Sequence, residues 1–203
     1  MANYEYLIAS LPDISPDWKG ADGEAADALM DEIRELCSDG DNRLVDFLTD
    51  GFRDEKLDRE FYEKALNHKD AFLREYFRFD LNVRNAKVAY LNKALGRPAG
   101  TDMFMEAPGE FEEAQKLDAV LNTDDILARE RGIDDLMWAK IDELTTFDYF
   151  DIDAVLGFIA KLHIVSRWLR LDERSGREMF ARLVDEVRGS YTGIREAADK
   201  AVS

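Results

Sequence analysis

The sequence predicts an all-α fold, a two-lobed bundle of about seven to nine helices, and three observations support this class. Residues 72–95, FLREYFRFDLNVRNAKVAYLNKAL, contain no Pro or Gly, and their apolar residues recur at helical spacing. Residues 151–171, DIDAVLGFIAKLHIVSRWLRL, are apolar around most of a helical circumference. The period-two alternation that indicates β-strands is rare anywhere in the chain.

The first lobe, residues 1–95, is predicted to begin with a short arm. Its apolar opening is stopped by Pro12 and Pro16. Since little else in the chain resembles a strand, we expect residues 1–18 to be extended and packed on helices. The first helix is then predicted over residues 24–37.

Two more helices are predicted before the long one. A short helix that Asp41 or Asn42 can cap should end near Gly51. Residues 58–69 continue the helical pattern, and this helix is either continuous with the long helix or broken near residues 67–68.

The helix over residues 72–95 is predicted to face the core along one broad arc. At about 100° per residue, Asn82, Asn85, Ala89 and Asn92 fall opposite that arc. The arc itself consists of Phe72, Leu73, Tyr76, Phe77, Leu81, Val83, Val88, Tyr90, Leu91 and Leu95.

Three charged residues, Asp80, Arg84 and Lys87, lie within the apolar arc at positions i, i+4 and i+7. Asp80 precedes Arg84 by one turn, which is the favourable order for an ion pair. Because an unpaired buried charge is costly, the stripe is either an internal ion pair that fixes helix packing or a polar strip kept for a partner protein.

Residues 96–110, GRPAGTDMFMEAPGE, are predicted to link the two lobes because they are rich in Gly and Pro. Gly96 stands where a glycine commonly follows a helix. The linker also carries three candidate contact residues, Met103, Phe104 and Met105. These residues either contact a partner or pack onto the core.

The second lobe, residues 111–203, is predicted to contain a helix that Thr123 or Asp124 caps and Gly132 breaks. A further helix is expected over residues 133–144. The central helix of this lobe should begin after a cap at Asp151, with apolar residues at the two staple positions, Phe150 and Val155.

This central helix carries a second polar stripe, His163, Arg167 and Arg170, again at positions i, i+4 and i+7. One hypothesis is that Asp80 of the first stripe pairs with Arg167 across the core. A last amphipathic helix is predicted over residues 172–188.

Composition excludes several classes of protein. A net charge of −17, from 44 acidic and 27 basic residues, opposes binding to a phosphate backbone, so we expect no nucleic-acid partner. The single cysteine, Cys37, rules out an internal disulfide and lies among acidic residues, which predicts an inert thiol. No apolar run is long enough to span a membrane and no leader peptide is evident, so a cytoplasmic protein is expected, with docking onto an inner-membrane complex allowed.

Motifs that carry chemistry are missing from the sequence. Neither His68 nor His163 has the Glu-x-x-His spacing of di-iron bundles, and phosphate-binding glycine loops and nucleophile elbows are missing. We therefore predict no catalytic residue, no cofactor and no metal. An enzyme would instead require a pocket that gathers His163, Arg167 and acidic groups around a ligand.

Two segments carry a resemblance to known families. FLREYFRFDLNVRNAKVAYLN resembles the D-x-x-N helix of the V/A-type ATPase C-subunit family, whose eukaryotic members are called d-subunits, with Asp80, Asn82, Arg84 and Asn85 in that region. The segment from FDYFDIDAVLG to DEVRGSY and the opening YLIASLPDIS are similar to a bacterial family of uncharacterised proteins encoded alongside V-type ATPase subunits.

The resemblance implies a non-catalytic component of a V-type ATPase that is similar to the C-subunit. Such a protein is helical and links the central stalk to the membrane rotor ring during proton or sodium transport. Its implied partners are stalk and ring subunits, and it would sit peripherally at the inner membrane. Members of the C-subunit family contain three pseudo-repeats, and this chain is expected to contain two at most. The alternative is a free-standing helical adaptor or regulatory protein.

Overall fold

The structure is a computed structural model that describes residues 4–16 and 23–171. Its described residues contain α-helices and no strand, which confirms the all-α prediction and the expected number of helices. The helices are α1 (Tyr4–Ser10), α2 (Gly23–Leu36), α3 (Asp39–Asp50), α4 (Arg59–Leu66), α5 (Ala71–Ala94), α6 (Ala114–Leu121), α7 (Ile126–Thr145) and α8 (152–171), with a 3-10 turn at Asp54–Lys56. The helix predicted over residues 172–188 lies outside the described residues.

The predicted extended arm is wrong, because its first part is the helix α1. This short helix buries Leu7 in the core. It is also anchored by Tyr4, whose hydroxyl donates a hydrogen bond to Asp41 at 2.8 Å. So short a helix is only marginally stable alone, and these tertiary contacts therefore stabilise it.

The start of α3 also differs from the prediction, because its N-cap is Ser38. The Ser38 hydroxyl accepts a hydrogen bond from the backbone N–H of Asp41, and the Asp41 carboxylate accepts one from the backbone N–H of Ser38 at 3.0 Å. This reciprocal capping box satisfies two amide groups at once. The break before α5 is confirmed, and Asp70 caps the long helix through the Leu73 N–H at 2.8 Å.

Gly132 does not break a helix as predicted, because α7 runs through it without interruption. The cap of α7 is Asp125, which accepts from the Ala128 N–H at 2.7 Å. A Cβ atom at Gly132 would lie 2.9 Å from Val120 of α6. The glycine therefore serves close packing between two helices and not a chain turn.

The C-terminus of α5 ends as predicted at Gly96, which has a positive φ of 67°. The N–H of Arg97 donates to the Asn92 carbonyl at 2.8 Å, which completes a Schellman motif. The predicted helix face is wrong over this last turn, where Leu91 and Leu95 are exposed and Asn92 is buried. The reason is that the following loop folds over Asn92, whose amide donates to the carbonyls of Ala99 and Thr101.

One hydrophobic cluster runs through the described helices and includes residues from both predicted lobes. Helix α5 packs against α4, α6 and α7. It runs antiparallel to α7, because Lys87 meets Glu130 while Phe79 meets Lys140.

Helices α7 and α8 form an antiparallel hairpin. Lys161 pairs with Asp142 near the turn, and Arg167 pairs with Asp134 further from it. Because α5 and α8 are both antiparallel to α7, they run in the same direction. Their two polar stripes can therefore border one cleft.

Candidate functional site

A cleft with a volume of about 470 Å³ lies among α5, α7 and α8 and is closed on one side by the loop over residues 102–104. We call it the central cleft. Its size is in the range of ligand pockets. Most of the residues selected from the sequence line it, namely Asp80, Arg84, Asn85, Lys87, Met103, Phe104, His163 and Arg167.

The α5 wall of the cleft is a hydrogen-bonded group centred on Asp80. The Asp80 carboxylate accepts from the Tyr62 hydroxyl at 2.6 Å and from the Arg84 Nε at 2.9 Å. Arg84 also reaches Asp54, which is exposed, at 3.4 Å. The structure therefore contains the internal ion pair that was one of the two interpretations of this stripe.

Burial of this group changes its ionisation. Desolvation and then the neighbouring Asp80 carboxylate raise the pKa of Tyr62 far above its ordinary value, so the phenol keeps its proton. Burial alone would lower the pKa of Arg84, but Asp80 and Tyr62 raise it instead. The guanidinium thus stays charged and paired.

The wall formed by α7 and α8 is centred on the buried Asp134. Arg167 donates to its carboxylate, and the Trp168 Nε1 donates to the same oxygen at 2.7 Å. Burial raises the pKa of Asp134, which Arg167 partly offsets. The hypothesis that Arg167 pairs with Asp80 is wrong, because a closer carboxylate on α7 takes that place.

The other charges of the two stripes also have partners on other helices. Lys87 of α5 reaches Glu130 of α7 at 3.2 Å. Arg170 pairs with Asp27 of α2 on the surface, next to a separate groove. Each stripe therefore connects its own helix to a neighbour.

His163 lies between these walls and stacks on Phe52, with 4.0 Å between ring centroids and 8° between ring planes. Burial, followed by the nearby Arg167, Arg170 and Arg84, lowers the pKa of His163 to about 4. The imidazole is therefore neutral at neutral pH. No carboxylate among the described residues hydrogen-bonds to it.

The central cleft does bring together the groups that the enzyme alternative required, His163, Arg167 and four acidic residues. A histidine with a pKa of about 4 is a weak general base near neutral pH. The flanking arginines already pair with Asp80 and Asp134. Within residues 4–16 and 23–171, no group of three or more His, Cys, Asp or Glu side chains is placed to hold a metal ion.

The remaining predicted residues lie around the cleft or away from it. Asn85 donates to the Met105 carbonyl at 3.0 Å and so ties the loop to α5, while the Met105 side chain packs on the core. Asn82 lies outside the central cleft and donates to the Arg78 carbonyl of its own helix at 3.0 Å. Phe104 is exposed at the cleft mouth and tilts against Tyr62.

Sequence reasoning missed a surface at the turn between α7 and α8, which we call the aromatic tip. It consists of Phe147, Tyr149 and Phe150, whose exposed fractions range from 61% to 86%. The predicted staple is wrong here, since Phe150 faces outward while Val155 is buried. The signal in the sequence was the run FDYFD, which combines three aromatic rings with two carboxylates.

A second exposed apolar surface, the aliphatic end, lies at the opposite end of α7. It consists of Leu91, Leu95, Ile126 and Leu127, with exposed fractions from 55% to 72%. The antiparallel packing of α5 on α7 brings the two leucines of α5 to the N-terminal end of α7. Because α7 has 20 residues, the two surfaces are separated by about 30 Å.

Acidic side chains surround the aromatic tip. Asp151 caps α8 by accepting from the Asp153 N–H at 3.1 Å. Burial and then the neighbouring Asp70, Asp151 and Asp148 raise the pKa of Asp153 to about 7. Carboxylates that crowd one another in this way oppose each other's ionisation.

The described helices include none that is both long and apolar enough to cross a bilayer. The described side chains thus define a class, an acidic all-α protein with an internally paired cleft and two exposed apolar ends.

Comparison with known families assigns the chain to one family. Residues 49–106 and 102–190 match the family described as "Protein of unknown function (DUF2764)", and the chain belongs to this family. No curated protein and no solved structure matches the chain.

Proposed function

We propose that the protein is a non-catalytic helical linker in a V-type ATPase, comparable to the C-subunit, which joins the central stalk to the membrane rotor ring during proton or sodium transport. The observation that carries the proposal is the presence of two exposed apolar surfaces at opposite ends of one helix. A linker requires two such surfaces and a stiff connection between them.

The two surfaces meet this requirement. The aromatic tip and the aliphatic end lie at opposite ends of α7, about 30 Å apart. Between them, α7 packs on α5 and α8 through a shared hydrophobic cluster. Exposed apolar patches of this kind often mark protein contacts.

The central cleft supports the stiffness of the connection. Its charges join α5 to α7 through Lys87 and Glu130, and α7 to α8 through Asp134 and Arg167. Groups committed to such pairs stabilise relative helix positions and leave little for acid–base chemistry. The choice of a V-type ATPase rests on two resemblances. The α5 segment around Asp80 resembles the C-subunit family, and the α8 segment is similar to a family of uncharacterised proteins encoded alongside V-type ATPase subunits.

The test is a gentle pull-down of the tagged protein from membranes of its native host, followed by quantitative mass spectrometry. We expect catalytic, stalk and ring subunits of the ATPase in stoichiometric amounts. Recovery of the protein alone, from the soluble fraction, would contradict the proposal.

The alternative is a free-standing adaptor or regulator, which the same two surfaces would also suit. It differs in its partners. An adaptor would be recovered with a distinct polypeptide and without ATPase subunits in the same pull-down.

A further inference from the structure

We propose that the aromatic tip docks into an apolar pocket of a protein partner, and that this pocket is ringed by Lys and Arg side chains. The inference rests on the proposed function in that it names the chemistry of one of the two partners. Three properties of the tip support it, namely its aromatic surface, its rigid support and its charge.

The aromatic surface is large for so short a segment. Phe147, Tyr149 and Phe150 fall within four residues and all point to solvent. In the described part of the chain, no ring–ring contact involves any of them. Each ring can bury about 150–250 Å² on binding, and aromatic anchors of this kind are enriched at energetic hot spots.

The ends of α7 and α8 pack closely on both sides of the turn that presents the rings. Gly157 allows α8 to approach α7 so closely that an added Cβ would lie 2.5 Å from the Thr145 Cγ2. The Thr145 and Thr146 hydroxyls donate to backbone carbonyls of α7 at 2.9 and 2.6 Å. Because the rings lie on a short turn between two closely packed helix ends, little ordering entropy is lost when they bind.

Charge determines what kind of partner fits. Residues 141–160 contain five acidic residues and no Lys or Arg. Two of the five pair with a lysine of the same chain, since Asp142 pairs with Lys161 and Glu143 with Lys140. Asp148 and Asp151 are adjacent to the exposed rings in the sequence, and a basic partner would relieve the repulsion between them.

A membrane surface is a poor occupant of the same site. Cytoplasmic leaflets carry anionic lipids, which attract basic and not acidic segments. The carboxylates of Asp148 and Asp151, which flank the rings in the sequence, would be repelled there. A basic protein surface is favoured for the same reason.

The aliphatic end offers a matched control, because its exposed leucines and isoleucine have both signs of charge nearby in Lys93 and Asp125. The test compares tagged full-length wild type, a tip variant (Phe147→Ser, Tyr149→Ser, Phe150→Ser), a charge variant (Asp148→Lys) and an end variant (Ile126→Ser, Leu127→Ser). Thermal unfolding should be nearly unchanged in all of them, since the altered side chains are not part of the buried core. Each is used for a pull-down with quantitative mass spectrometry and for zero-length carbodiimide cross-linking, which joins a carboxylate to a lysine amine with loss of water.

We expect one polypeptide whose recovery by the tip variant and by Asp148→Lys is about tenfold lower than by the wild type. The end variant should recover it as the wild type does. Raising the salt from about 0.05 M to about 0.5 M should weaken its recovery. Cross-links should join Asp148 or Asp151 to lysines of that polypeptide. Vesicles of phosphatidylcholine and phosphatidylserine should not bind the protein.

Three results would overturn the inference. They are an unchanged set of partners in the tip variant, partner lysines that cross-link only outside the tip, and vesicle binding that the tip variant abolishes. The proposed function is judged separately. If wild type and tip variant recover ATPase subunits equally, the linker stands and the inference fails. If the tip captures a basic partner outside the ATPase, the inference stands and the linker proposal fails.

Discussion

The polar stripes of α5 and α8 have the same spacing in the sequence but are paired in different ways. In α5, Asp80 and Arg84 pair within one helix, one turn apart. In α8, Arg167 and Arg170 find their acids on α7 and α2. The first stripe is also the more buried, because the Arg167 side chain is half exposed while that of Arg84 is mostly covered.

The difference shows what a helical stripe in a sequence can predict. Charges at i and i+4 specify a partner only when they have opposite signs, as Asp80 and Arg84 do. A stripe of one sign, such as that of α8, indicates only that acids must be nearby. Which helix supplies them depends on the tertiary packing.

The largest expected effect of breaking either stripe comes from Asp80→Ala. The change leaves the fully buried Tyr62 hydroxyl and the Arg84 guanidinium without their shared acceptor. We expect a loss of about 3 kcal/mol in the free energy of unfolding, measured by urea titration. Asp80→Asn, which keeps an oxygen acceptor, should lose less. A loss below about 1 kcal/mol would mean that the α5 group is not structurally important.

The α8 stripe should make stability depend on pH through His163. Its pKa is lowered from 6.5 to about 4 in the folded protein, so the unfolded chain binds a proton first as the pH falls. The stability that the neutral His163 contributes is fully present above pH 6.5 and is lost as the pH falls through about 4. We expect this contribution to be about 2 kcal/mol, since solvent at the cleft mouth screens part of the shift.

His163→Phe isolates this contribution, because it keeps a ring stacked on Phe52 and removes the titrating group. Urea titrations of both proteins at several pH values measure the difference. The variant should lose less stability than wild type between pH 6.5 and 4, and parallel curves would contradict the assignment.

Arg84→Ala is expected to cost about 1–2 kcal/mol, less than Asp80→Ala. The reason is that Tyr62 continues to donate to Asp80 when the guanidinium is gone. The same urea titration measures it. A double-mutant cycle with Tyr62→Phe provides the control, and a coupling near zero would show that the two donors do not act on Asp80 together.

The smallest effects are expected on the exposed part of the α8 stripe. Arg167→Ala should cost about 1 kcal/mol, because Trp168 remains as a donor to Asp134. Arg170→Ala is the matched control and should change stability by less than about 0.5 kcal/mol, since its pair with Asp27 is exposed. If Arg170→Ala lowered the midpoint of thermal unfolding more than Arg167→Ala, the contrast between buried and exposed pairs would be wrong.

Much of the fold could be predicted from the sequence because helical periodicity is a local signal. The long helix and its glycine at position 96 follow from spacing and cap chemistry, and the break near residue 67 was one of two alternatives that the sequence left open. Errors arose where tertiary contacts override local preference. Gly132 continues a helix because Val120 needs the space, and Asn92 is buried because a later loop folds over it.

The sequence predicted part of the central cleft but not the aromatic tip. The charges of the central cleft stood out because polar residues interrupt two apolar helices, and both interruptions border one cavity. The partner Asp134 was missed, since a carboxylate in an acidic helix looks like any solvated residue. The aromatic tip was missed because exposure cannot be inferred from periodicity within a short turn.

One experiment tests the linker directly, namely photo-crosslinking in the native host with a photoreactive amino acid in place of Tyr149, Leu127 or Phe104. These positions lie at the aromatic tip, at the aliphatic end and at the mouth of the central cleft. The linker account predicts cross-links from Tyr149 and Leu127 to two different components of the ATPase, and none from Phe104. Cross-links from the cleft alone, or to no ATPase component at all, would contradict it.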